Sequence, residues 1–163
     1  MGVEILILCS GNIGRSPLGE VMLRAALARR LGVPATGLAA VGVVVGSAGT
    51  AAPDGHPASA RGLAYAAELG LDLNEHRART MTPEMVTRAD HIFCMDRSQL
   101  RAVTGLVPEA AEKAELAAGE GTEIPDPHHE DDEFFRDVAA TIGTAMERRS
   151  EALATEIVRG SSR

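Results

Sequence analysis

The stretch Val3-Glu4-Ile5-Leu6-Ile7-Leu8-Cys9-Ser10-Gly11-Asn12-Ile13-Gly14-Arg15-Ser16-Pro17 decides the fold class. Its first part, Val3–Cys9, is apolar apart from Glu4 and lacks the strict alternation of a half-exposed strand. It therefore predicts a strand buried on both faces, as in parallel sheets. The run stops at the turn-rich Ser10–Gly14. Ser16 is then expected to cap a helix, with Pro17 at its first position where a missing N–H costs nothing, and the helix is expected to reach about Leu31. A strand, a tight loop and a helix N-terminus in succession form an anion site. Consecutive backbone N–H groups converge there, and the helix dipole favours negative charge.

Outward from this stretch, strands and helices alternate. Val41–Val45 reads as a second strand entering the turn Gly46-Ser47-Ala48-Gly49-Thr50. A helix is predicted from about Ala58 to Leu69, closed by Gly70 in a left-handed cap. Thr82-Pro83-Glu84 opens a short helix, His91–Met95 is a third strand, and Asp96 caps a helix to about Thr104. A short fourth strand is expected near Ala114–Leu116, and a long amphipathic helix from about Asp131 to Val158. The alternation predicts an α/β fold: one domain over residues 1–163, with a doubly wound sheet of about four parallel strands and helices on both faces. Ligands in such sheets bind beyond the carboxyl ends of the strands, where strand order reverses. Cys9 ends the first strand and so falls in that position.

Composition narrows the class. A chain of 163 residues, 45% hydrophobic and 24% charged, can bury a core without disulfide staples. The net charge of −7 argues against nucleic acid or an anionic membrane as the main partner. Cys9 and Cys94 are too few for a disulfide framework and suit a reducing cytosol. Val3–Leu8 is shorter than the apolar core of a secretory signal and has no basic leader, and no stretch approaches a membrane span. A cytoplasmic protein is expected.

The chemistry is concentrated between Cys9 and Arg15, which have five residues between them. The planar guanidinium of Arg15 suits two phosphoryl oxygens at once. Gly11 and Gly14 permit the backbone to curl around an anion. A thiolate is favoured at helix N-termini beside cations, which makes Cys9 the candidate nucleophile. Ser16 is expected to donate to that thiolate, and Asn12 to brace the loop. The pair alone would be weak evidence, because a free cysteine at a strand end is usually a small buried hydrophobe. The preceding strand, the enclosed glycines and the following Ser-Pro give it weight. No Gly-Lys-Ser/Thr or Gly-x-Gly-x-x-Gly is present, which disfavours a nucleotide loop. Cleavage of a phosphate ester also needs a proton for the leaving oxygen. Ile124-Pro125-Asp126-Pro127 supplies Asp126 on a stiff loop, although a lone Asp-Pro is more often a plain turn.

At these residues the chain resembles the low-molecular-weight protein-tyrosine phosphatase family, whose Cys-x-Gly-Asn-x-x-Arg-Ser-Pro motif is met apart from one position. The resemblance continues in order through Ser47-Ala48-Gly49-Thr50, His76-Arg77-Ala78-Arg79, Ala89-Asp90 with Met95-Asp96-Arg97, and Asp126-Pro127. It implies that Cys9 attacks, that Arg15 and the loop Ser10, Gly11, Asn12, Ile13, Gly14 and Ser16 hold the phosphate, and that Asp126 is the general acid. It further implies that Ser47 and His76 join the network shaping the loop and that His128 walls the substrate slot. No cofactor and no metal are expected. The run His128-His129-Glu130-Asp131-Asp132-Glu133 has ligating residue types, but its carboxylates also suit the start of the last helix.

The chain departs from the family in several places. Many members carry a second loop cysteine where this chain has Gly14. Aromatic slot walls are replaced by His128 and by Ala51-Ala52-Pro53. Tyr65, the single tyrosine, falls within a predicted helix. Thioredoxin-coupled arsenate reductases need relay cysteines that are missing here. Protein-arginine phosphatases of the family favour Thr where this chain has Ile13. The resemblance thus implies a monomeric tyrosine phosphatase acting on a phosphorylated protein or a small aryl phosphate through a cysteinyl-phosphate. The alternatives are an arginine phosphatase, a non-catalytic phosphopeptide-binding module and, less supported, an arsenate reductase.

Overall fold

A computed structural model describes residues 2–161. Residues 1, 162 and 163, the ends of the expected 1–163 domain, lie outside the described residues. In chain order the elements are β1 (Val3–Cys9), α1 (Arg15–Leu31), β2 (Val43–Gly49), α2 (Ala60–Glu68), α3 (Pro83–Arg88), β3 (His91–Cys94), α4 (Arg97–Leu106), β4 (Ala114–Leu116) and α5 (Asp132–Ser161). Short 3-10 turns occupy Ala35–Gly37, Ala39–Val41 and Pro108–Glu112. The strands are all parallel, in the order β2-β1-β3-β4. This is the α/β sheet the alternation predicts.

β1 is central, which explains its apolar run. Ile5, Ile7 and Cys9 face one layer, with Leu18, Leu23 and Leu27 of α1 and Phe135, Ile142 and Met146 of α5. Leu6 and Leu8 face the other, with Val86 of α3, Ile92 and Cys94 of β3, and Val103 of α4. Alternate residues of one strand thus feed two cores, and each buried Leu or Ile contributes ~1.5–3 kcal/mol relative to exposure.

Two expected boundaries moved. Ser16 does not cap α1: the helix begins at Arg15, Gly14 occupies the cap position, and no side chain caps the first turn. Pro17 still falls in that turn, where its missing N–H is harmless. The second strand runs not over Val41–Val45 but through the expected turn, with Val3 opposite Val43 and Cys9 opposite Gly49. Pairing with the buried β1 overrides the low strand propensity of Gly46-Ser47-Ala48-Gly49. Gly49 has a steric reason to be glycine, since a Cβ there would lie 2.5 Å from the Ser10 carbonyl oxygen.

The cap signals fared better. Gly70 is left-handed at φ 74° as expected. Thr82 and Asp96 cap α3 and α4, the latter through a reciprocal capping box with Gln99, while α2 starts two residues later than expected, capped by Ser59. The chain leaves β1 towards β2 on one side, while β3 lies on the other. The loop after β1 and Asp96 after β3 therefore flank the point where strand order reverses.

Candidate active site

The Cys9 sulfur is buried at the base of the loop and receives two hydrogen-bonding groups. The Asn12 N–H donates to Sγ at 3.2 Å, and Ser16 Oγ lies 2.9 Å from it. Asn12 organises this loop. It adopts a left-handed φ of 55°, which Asn tolerates better than most residues, and it is fully buried. Its Nδ2 donates to Ser16 Oγ at 2.8 Å and to Ser47 Oγ at 3.0 Å. Its Oδ1 accepts from the Arg79 N–H at 3.0 Å. Its carbonyl oxygen lies 2.6 Å from His76 Nε2, and because a carbonyl only accepts, His76 carries a hydrogen on Nε2.

These bonds assign the hydroxyl protons. Ser47 Oγ accepts from Asn12 and donates to Glu20 Oε1 at 2.6 Å, and Glu20 is paired with Arg24 at 2.6 Å. Ser16 Oγ also accepts from Asn12, so its own hydrogen is left for an acceptor. Cys9 Sγ is at 2.9 Å and the Ala48 carbonyl oxygen at 3.5 Å, so the sulfur is the better-placed partner. Ser47 and His76 thus meet the loop where the family resemblance implied. Glu20 and Arg24 were not foreseen, although Ser16, Glu20 and Arg24 recur at helical i,i+4 spacing on one face of α1.

Arg15 is held from behind. Its Nη1 donates to Asp96 Oδ2 and to the Ile124 carbonyl oxygen, each at 2.7 Å, with its side chain 3% exposed. Both Nη1 hydrogens are then used, which leaves the Nε–Nη2 edge for an oxyanion. Burial alone would raise the Asp96 carboxyl. Hydrogen bonds from Arg15, Ser98 and Gln99, with the Arg15 charge, outweigh it and hold the group down at about 2. Ser10 turns away from a phosphate-holding role in its side chain, because its Oγ accepts from Gln99 Nε2 at 3.0 Å. The sequence shows Asp96 as a helix cap and as part of the family-like Met95-Asp96-Arg97, but not its pairing with Arg15 or that of Gln99 with Ser10, since neither has a sequence spacing that announces it.

Cys9, Gly11, Ile13, Gly14, Arg15 and Asp126 open on one cleft of about 580 Å³. Asp126 is exposed and its Oδ1 accepts from the His128 N–H at 3.0 Å, which leaves Oδ2 for a proton. His128 lies on the wall as expected, and Arg61 and Phe135 join it unforeseen. Among the described residues, no three His, Cys, Asp or Glu side chains are grouped to hold a metal ion.

The chain matches the family described as low molecular weight phosphotyrosine protein phosphatase over residues 4–160. It belongs to that family. The low molecular weight protein-tyrosine-phosphatase Etp of Escherichia coli is 34% identical over 152 residues, which are 92% of this chain and 94% of Etp. The crystal structure of the Escherichia coli tyrosine phosphatase Wzb in complex with sulphate matches with a TM-score of 0.81 at 32% identity. That match covers 94% of this chain and 99% of Wzb. A protein-arginine-phosphatase of Geobacillus stearothermophilus is 29% identical over 96% of this chain and 99% of its own length.

For a low molecular weight phosphatase, the cysteine content has clear geometric consequences. Gly14 has nothing within 4 Å of where a Cβ would sit, so the second-cysteine position is open space on the cleft. Cys94 pairs with Leu8, not Cys9, and packs in the opposite layer from Cys9. Burial, followed by the nearby Asp96 charge, pushes its thiol up to about 12. A relay between these two cysteines would have to cross the sheet.

Proposed function

We propose that this low molecular weight phosphatase hydrolyses phosphotyrosine in proteins, or small aryl phosphates, through a cysteinyl-phosphate. The Cys9 thiolate attacks phosphorus: the S–P bond forms, the P–O bond breaks, and Asp126 gives its proton to the leaving oxygen. Water then attacks phosphorus, the S–P bond breaks, Asp126 takes the water proton, and inorganic phosphate leaves with the thiolate restored. The loop amides and the free edge of Arg15 stabilise the charge spread over the equatorial oxygens. The observation that carries this reading is the Cys9 sulfur held by Ser16 and Asn12 on the same cleft as Asp126. A module that merely bound phosphate would need neither a thiolate nor an acid.

The Geobacillus arginine phosphatase supports a second reading, in which the phosphoryl group comes from arginine. Ile13 on the cleft favours tyrosine, because a branched apolar side chain offers contact to a phenyl ring and no partner for a guanidinium N–H. Steady-state assays with phosphotyrosine, phosphoserine and phosphoarginine peptides decide between them. Preference for phosphotyrosine is the expected result, and faster turnover of phosphoarginine would replace it. We further propose a monomer working in a reducing cytoplasm, the compartment in which Cys9 and Cys94 stay thiols. Among the described residues no helix is long and apolar enough to cross a membrane.

A further inference from the structure

We infer that Arg61 is a positioning residue for the general acid, tying the Asp126 loop to a helix turn that is itself bonded to the phosphate loop. The inference rests on the phosphatase reading and adds a determinant of its proton transfer. The first turn of α2 makes both attachments. The Ser59 N–H donates to the Ile13 carbonyl oxygen at 2.8 Å, while Ser59 Oγ caps the helix by accepting from the Gly62 N–H at 3.1 Å. Two residues on, Arg61 Nη2 donates to the Pro127 carbonyl oxygen at 2.8 Å and Nη1 to that of Glu130 at 2.9 Å. The His128 carbonyl oxygen lies 3.5 Å from Nη2, and Asp132 Oδ1 lies 3.3 Å from Nη1.

Before the acid the loop is pinned at Ile124, whose N–H donates to the Met95 carbonyl oxygen and whose carbonyl oxygen accepts from Arg15; beyond it, other anchors are few. Pro125 and Pro127 have no N–H, the Glu130 N–H bonds back to Pro127, and the His128 N–H is taken by Asp126. Among the described residues, the hydrogen bonds from residues 125–130 to distant parts of the chain end on Arg61. The guanidinium itself is kept in place by the buried Phe135 ring, whose centroid is 4.8 Å from Arg61 Cζ. A planar fork can reach carbonyls three residues apart simultaneously, whereas an ammonium is a single point of attachment. The spacing between the Cys9 loop and Asp126 is therefore set from both sides, by Arg15 on the Ile124 carbonyl oxygen before the acid and by this helical turn after it.

The test uses Arg61→Gln and Arg61→Lys in the full chain, assayed on phenyl phosphate and on nitrophenyl phosphate, whose leaving group hardly needs a proton. Both variants should lose about 10–10²-fold in kcat/KM on phenyl phosphate, the range for a slightly misplaced reacting group, kcat/KM being the parameter that reports P–O cleavage without the later hydrolysis of the cysteinyl-phosphate. They should lose far less on nitrophenyl phosphate, with inhibition by inorganic phosphate unchanged. Adding Arg61→Gln to Asp126→Asn should cost nothing further. Full activity of either variant on phenyl phosphate would overturn the inference. An equal loss on both substrates with weakened phosphate inhibition would do the same, by assigning Arg61 to substrate binding. If Arg61→Gln does not fold, Phe135→Leu carries the test, since it loosens the guanidinium and should give a smaller loss with the same leaving-group pattern. A wild type without Cys9-dependent turnover would sink the phosphatase reading instead.

Discussion

The Asp96 carboxylate receives Arg15 Nη1 at 2.7 Å, and this pairing selects which edge of the guanidinium faces the cleft. The pair also carries a pH signature. The Asp96 carboxyl lies at about 2 in the folded chain against an ordinary 3.8. A lowered folded value gives stability that is fully present above the ordinary value and is lost as pH falls through it towards 2. Asp96→Asn should therefore destabilise the protein by on the order of 2 kcal/mol at neutral pH, with the deficit shrinking between about pH 4 and pH 2. Urea unfolding at both ends of that window checks this; a deficit independent of pH would contradict it.

Cys9→Ser should abolish turnover of an aryl phosphate while leaving the fold intact, because a serine hydroxyl in the same place is poorly ionised. Arg15→Lys should be nearly as severe. Lysine cannot both bond back to Asp96 and the Ile124 carbonyl and present two N–H groups forward. Turnover of Cys9→Ser near the wild-type rate would remove this residue from the mechanism.

Asp126→Asn should slow hydrolysis of phenyl phosphate by ~10²–10⁴, the usual range for losing a positioned acid. The loss should narrow as leaving groups become more acidic. A series of substituted phenyl phosphates reads this as a steeper dependence of kcat/KM, which reports the P–O cleavage step, on leaving-group pKa. Parallel lines for variant and wild type would mean that Asp126 transfers no proton.

Peroxide should inactivate the protein without forming an internal disulfide, since Gly14 replaces the usual partner and Cys94 lies in the other layer. Mass spectrometry should find sulfenic or higher acids on Cys9, and thiol reductants should recover little activity after long exposure. Gly14→Cys fills open space on the cleft and should make the loss reducible. A Cys9–Cys94 disulfide as the main wild-type product would reverse this account and revive the redox reading.

Ile13→Thr should shift the kcat/KM ratio from phosphotyrosine towards phosphoarginine. Thr is smaller and supplies a hydroxyl where the apolar side chain leaves a substrate N–H without a partner. The expected swing is roughly 10–10²-fold, comparable to one or two hydrogen bonds. A variant with an unchanged ratio would move the specificity determinant elsewhere on the cleft, towards His128, Arg61 or Phe135.

The sequence by itself determined what depends on neighbours a few residues apart. The apolar run of β1, the glycines and asparagine of the loop, the caps at Thr82 and Asp96 and the left-handed Gly70 all follow from local backbone and side-chain preferences. Local preference failed where distant pairing competed with it. Ser16 had the chemistry of a cap, yet its hydroxyl is bound to Asn12 and Cys9. Gly46–Gly49 looked like a turn, yet the ladder along β1 extends it as strand. Only the tertiary structure decided the partners across the cleft: Asp96 behind Arg15, 81 residues away, and Arg61 under the acid loop, 66 residues from Pro127. Such bonds are chosen by strand order and helix packing. They leave no periodicity in the chain, because the closure of a long loop is indifferent to the residues within it.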